Sequence, residues 1–197
     1  MKQLYKADIL TMLVITLLGI IQGQVTVFYI VYLFWLQEFL RTSVDFFCLF
    51  RKKRGIAMKF SFIKISFGSF FILYVYVVFI VVLFGFMLNW DNNDLLGQNM
   101  RVLMFRNWYF NANVILFLAE YIYFRSQNDN TELQMPLFSR RHIILHISII
   151  LGALIQLALA PKFNLDNPWT SALTIVPFLI LKILVDKQNI SIASEKT

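Results

Sequence analysis

Residues 67–88 read FGSFFILYVYVVFIVVLFGFML, twenty-two positions without a charged side chain. A helix that crosses the hydrocarbon core of a bilayer needs about 20 mostly apolar residues, and runs of about 17–25 qualify. A chain of 197 residues has little interior volume in which to hide such a run from water. Working outward, comparable stretches occupy 5–22, 25–48, 107–124, 143–160 and 169–186. The whole chain is 59% hydrophobic and 15% charged, against about 45–50% and about 25% in soluble domains. The fold class that follows is all-α: a polytopic transmembrane helix bundle of about six spans, in one domain over 1–197. No internal repeat or low-complexity tract interrupts it.

The first stretch has the shortest apolar core, so a re-entrant or tilted interfacial helix is its alternative. Lys2 and Lys6 ahead of 9–21 resemble the start of a signal peptide. Gln22-Gly23-Gln24 is not a small-residue cleavage site, so a retained helix is expected. The tight turn at those residues predicts a helical hairpin with the second stretch. In 95–107, Arg101, Leu103, Met104 and Phe105 do not separate into two faces, and an interfacial lead-in to the fourth span is expected.

The net charge of +7 does not point to nucleic acid, because the basic residues cluster beside the apolar runs. One side receives Lys2, Lys6, Arg51, Lys52, Lys53, Arg54, Lys59, Lys64, Arg125, Arg140, Arg141, Lys182, Lys187 and Lys196. The other receives Lys162, with Arg101 and Arg106, and the acidic Asp91, Asp94 and Asp166. Six crossings put every dense basic cluster on one face, whereas five or seven would split them. The positive-inside rule makes that face, and with it both termini, cytoplasmic. Attraction of the 51–54 run to anionic lipid follows at about 1 kcal/mol per basic residue near the surface. Trp90, Trp108, Tyr109 and Trp169 fall near the opposite span ends, where amphipathic rings anchor. Cys48 is the only cysteine, which excludes an intramolecular disulfide and a Cys-based zinc site.

A charge at the bilayer centre costs roughly 2.5–3.5 kcal/mol, so each one asks for a partner. Glu38, Arg41 and Asp45 share one face of the second span and can pair along it. Two acids and one base leave a negative charge that invites a cation from another helix. His142 and His146 are one turn apart in the fifth span, on a stripe continued by Ala153, Gln156 and Ala160. Such small and polar stripes mark helix contacts in membranes. Glu120 in the fourth span and the pair Lys182 and Asp186 in the sixth complete the intramembrane polar set. Pro177 is expected to kink the sixth span. Asn111 and Asn113 read as interhelical hydrogen-bond donors. No cofactor is predicted. A divalent metal has His142, His146, Glu38 and Glu120 as candidate ligands, although a packed, hydrogen-bonded His146 is the simpler reading and the metalloprotease signature is absent.

Three fragments then carry a resemblance. Tyr32-Leu33-Phe34-Trp35-Leu36-Gln37-Glu38 is similar to an aromatic-Trp-x-Glu-Asn signature. The run from Arg141 to Gly152, with Leu145-His146-Ile147-Ser148-Ile149 inside it, resembles Arg-x-x-x-Leu-His-x-Ser/Thr-Ile. Lys182-Ile183-Leu184-Val185-Asp186 resembles a closing Lys-x-x-x-Asp. Together, in this order, they resemble an uncharacterised family of small multi-pass prokaryotic integral membrane proteins. The resemblance implies that Trp35, Glu38, Arg141, His146, Lys182 and Asp186 occupy family positions. Phe39 stands where the family pattern has Asn, and Glu120 where it has His. Any metal or proton site of the family would lose two groups here. The resemblance implies no activity.

Three functions fit these residues. The reading favoured is an accessory or assembly subunit of a membrane complex, with lipid and a membrane-protein partner or a second copy around it. A small-solute or proton-coupled transporter using the Glu38, Arg41, Asp45 and His146 cluster is the alternative. A membrane-embedded, metal-assisted enzyme is the third. The expected location is the cytoplasmic membrane.

Overall fold

The computed structural model describes residues 2–52, 56–127, 146–147 and 149–150. The described elements are all helical: α1 (Lys2–Ile21), α2 (Val27–Lys52), α3 (Ile56–Ile80), α4 (Asn93–Leu103) and α5 (Trp108–Gln127). Helices thus cover the stretches expected at 5–22, 25–48, 67–88 and 107–124. The stretches at 143–160, apart from four positions, and at 169–186 lie outside the described residues. So do Lys53, Arg54, Arg140, Arg141, His142, Lys162, Trp169, Pro177, Lys182 and Asp186. One helix, Ser66–Phe86, is long and apolar enough to cross a membrane among the described residues. The helices flanking it carry more polar groups in their length.

The helix α2 lies between α3 and α5, and α1 lies along α5. Contacts along each pair fix the directions. Phe28 meets Gly85, Trp35 meets Leu73 and Phe39 meets Phe70, so α3 is antiparallel to α2. Tyr29 meets Asn113 while Asp45 meets Tyr121, so α5 is parallel to α2. Gly19 faces Tyr109 and Thr16 faces Asn113, which makes α1 antiparallel to α5. The main packing of α1 is therefore with α5, rather than with its hairpin neighbour α2.

The turn after α1 closes as the sequence suggests. Gln24 N–H donates to Gly19 O at 2.8 Å and Gly23 N–H to Ile20 O at 2.9 Å. This paired pattern requires a left-handed residue between them, and Gly23 supplies it at φ 66° without a Cβ penalty. The same pattern ends α4, where Arg106 N–H donates to Arg101 O and Phe105 N–H to Val102 O. There the left-handed position is held by Phe105 at φ 56°, at a cost of about 1–2 kcal/mol for a side chain with a Cβ. Asn107 ties the two turns together. Its Oδ1 accepts from Phe110 N–H at 3.0 Å, capping α5, and its Nδ2 donates to Gln24 O at 3.0 Å.

The 95–107 stretch, expected as a lead-in to the fourth span, forms a short helix of its own, α4. Asn92 caps it by accepting from Asp94 and Leu95 N–H. Its faces do separate, because Asn99 and Val102 are buried while Arg101 is exposed. What buries that face is the end of α3, which widens into a π-helical segment over Val81–Phe86 and tightens over Met87–Asn89. Asn99 Nδ2 donates to Phe84 O at 3.1 Å and Gly85 O at 3.3 Å. Its Oδ1 accepts from Thr26 Oγ1 at 2.8 Å, and Thr26 in turn caps α2 at Tyr29 N–H. Carbonyls only accept, so the Asn99 amide has one orientation. Gly85 lies against the Phe28 ring, where a Cβ would sit 3.4 Å from it, in ordinary contact.

Asn99→Leu removes the partner of two carbonyls and a hydroxyl. It is expected to lower stability by roughly 1–3 kcal/mol in reversible unfolding from detergent. Thr26→Ala combined with it should cost less than the sum of the two, since both remove one bond. Strictly additive losses would contradict the coupling.

Candidate functional site: a polar layer between three helices

The two long faces of α2 differ in chemistry. Phe28, Tyr32, Trp35, Phe39 and Phe46 recur at helical spacing, and successive rings from Phe28 to Phe39 stack with centroids 5.3–5.5 Å apart. Trp35 Nε1 donates to Leu73 O at 2.7 Å, pinning α2 to the middle of α3. Trp35, one of the family-like positions, is thus an interhelical tie.

Towards α5, Phe110 packs on Tyr29 and Tyr32 near the start of α2, and polar partners follow further along. Asp45 accepts a hydrogen bond from Tyr121 Oη at 2.7 Å. Arg125 Nε lies 3.5 Å from Asp45 Oδ1, an ion pair whose two side chains are 8% and 13% exposed. That nitrogen makes no hydrogen bond, so the contact is Coulombic rather than directional. Arg41 lies with its guanidinium 4.8 Å above the Phe117 ring centroid and 5.8 Å from that of Tyr121. Those two rings stack on each other, and a cation over desolvated rings gains about 2 kcal/mol. Glu38 is buried at 8% exposure, and among the described residues it makes no hydrogen bond or ion pair. Of the two pairings expected along α2, Glu38 with Arg41 does not form, and α5 offers Arg41 a pair of rings.

The cation that the α2 charges invite comes from α5. In the sequence Arg125 stands out only as an orientation marker, not as a partner for α2. Phe117, Tyr121 and Arg125 are spaced by four, on one stripe, and that spacing was the available signal. The interhelical role expected of Asn111 and Asn113 divides. Asn113 Nδ2 donates to Tyr29 Oη at 2.8 Å and Thr16 Oγ1 at 3.4 Å, joining three helices. Asn111 instead turns back to Phe105 O at 2.6 Å.

Next to Asn113 lies a cavity of about 30 Å³ lined by Thr11, Met12, Gln37, Asn113, Leu116 and Glu120. This volume holds about two waters. Asn113 is 2% exposed, and its Oδ1 has no hydrogen-bond partner. Gln37 lies ten residues into α2, about 15 Å along the helix at 1.5 Å per residue. The cavity is therefore at mid-length of the helices, and Glu120 faces it rather than the nearer helix end.

His146 is elsewhere. It is exposed, and its ring lies 5.8 Å from that of Tyr76 on α3. Glu38, Glu120 and His146 thus do not converge, and among the described residues no group of His, Cys, Asp and Glu could hold a metal ion.

Removing Arg125 takes a counter-charge from the largely buried Asp45, which keeps its hydrogen bond from Tyr121, and removing Asp45 takes the counter-charge from the buried Arg125. Arg125→Ala is expected to cost about 3–5 kcal/mol, and Asp45→Ala added to it should recover a large part. Chemical denaturation of the two variants measures this, and a double variant as unstable as the sum would remove the pair from the account.

The comparisons with known proteins add one placement. No curated protein and no solved structure matches the chain. The profile of one family extends over residues 3–196, taking in all three resembling fragments and both sides of the polar layer. The chain belongs to this family, a family of unknown function (DUF6498).

Proposed function

We propose that the chain is a multi-pass protein of the cytoplasmic membrane, with six spans and both termini cytoplasmic, serving as an accessory or assembly subunit of a membrane complex. The observation that carries the membrane placement is the outward face of α3. Phe67, Phe71, Tyr74, Val75, Val78 and Val82 fall within about 100° of one another on the helix, and all are exposed, Phe67 by 72% and Phe71 by 59%. An apolar face of that length is what contact with lipid or another protein requires.

The helix directions support the orientation. Arg51 and Lys52 close α2 at the end it shares with Arg125. The exposed Trp90 and Trp108, with Asp91 and Asp94, belong to the opposite end. A basic end facing the cytoplasm and indole rings at the far interface follow the usual rules. The accessory role is supported by how the charges are used: Asp45, Arg125 and Arg41 hold α2 to α5. A second reading, a small-solute or proton-coupled carrier, is favoured by the mid-helix cavity beside Glu120.

In a Cys48→Ser background, Asp91→Cys is expected to react with a membrane-impermeant maleimide on intact cells. Lys52→Cys should react only after permeabilisation. Reaction of both from the same side contradicts the topology. Purification in native-lipid particles should yield a second protein at fixed stoichiometry, and a lone monodisperse chain would remove the accessory role.

A further inference from the structure

We propose that the cavity between α1, α2 and α5 is a binding site for one small monovalent cation, with Na⁺ as the ion that fits. The inference rests on the cavity that favours the carrier reading, but it asks only for binding. The donor set is oxygen: the Thr11 hydroxyl, the side-chain carbonyls of Gln37 and Asn113, and the Glu120 carboxylate all belong to lining residues. Oxygen donors select hard cations, whereas thiolate and imidazole select transition metals. One carboxylate among neutral oxygens balances one positive charge, while a divalent ion would keep an uncompensated charge in a low-dielectric interior. The volume of about 30 Å³ admits a dehydrated or singly hydrated Na⁺ and excludes a quaternary ammonium ion.

The second, independent observation is Asn113. Its Nδ2 is committed to Tyr29 and Thr16, which leaves Oδ1 as a buried acceptor with no donor. A buried carbonyl without a donor costs about 1–3 kcal/mol, and a cation in the cavity that Asn113 lines relieves it. Leu116 and Met12 supply the apolar part of the lining.

The test is thermal unfolding of the purified full chain in detergent, titrated with NaCl against choline chloride at matched ionic strength. At a hundredfold excess over Kd, Na⁺ should raise Tm by roughly 5–10 °C over choline, with saturation. Glu120→Gln and Asn113→Leu should abolish the difference. Identical curves in the two salts, or an undiminished Na⁺ effect in Glu120→Gln, overturn the site. Should either variant fail to fold, equilibrium binding of radioactive sodium to the unmodified chain decides: saturable binding of about one ion per chain supports the site, and none overturns it. Binding without uptake into proteoliposomes keeps the site and removes the carrier reading.

Discussion

A polar side chain carried into a helix bundle costs free energy until a neighbour satisfies it, and α2 carries several. Its partners determine where α3, α4 and α5 lie, and α1 is placed by α5. Trp35 takes a carbonyl of α3, Asp45 takes Tyr121 and Arg125 of α5, and Thr26 takes Asn99 of α4. The fold is arranged around this helix because each neighbour supplies what α2 lacks. The apolar α3 needs little in return beyond a surface on which to lie, and its outer face from Phe67 to Val82 carries no charged group.

The two ends of the bundle are closed in different ways. At one end, hydrogen bonds to main-chain atoms do the work: Asn107 joins two turns, and Asn99 reaches the widened end of α3. A π-helical segment displaces its carbonyls from ordinary register, and the Asn99 amide meets two of them. At the other end, charge and aromatic faces join α2 to α5 through Arg41, Asp45, Tyr121 and Arg125. Between the two lies the oxygen-lined cavity, the one described place where polar groups from three helices meet at mid-length.

The helices themselves were legible in the sequence, because runs such as 67–88 have a single physical solution over their length. The turn at Gly23 was legible too, since a left-handed position after a helix favours glycine. The pairing was not. Periodicity places Glu38, Arg41 and Asp45 on one face but is silent about which helix meets that face, so a partner was sought near His146 rather than at Arg125. The separate helix α4 was hidden for a similar reason. Arg101 and Phe105 blur its faces by composition, and only contact with Phe84 and Gly85 shows Asn99 as its buried side. The left-handed Phe105 breaks the rule that favours glycine there, and no local pattern announces it.

The proposed membrane placement requires hydrocarbon against the outer face of α3, whose other side packs on α2. Spin labels placed one at a time at Phe67, Phe71, Tyr74, Val78 and Val82 in reconstituted bilayers test this most directly, through collision with oxygen and with a water-soluble nickel chelate. The account predicts high oxygen and low nickel accessibility at all five, with the contrast greatest towards the centre of the series. High nickel accessibility at Tyr74 and Val78 would place that face in water and contradict it.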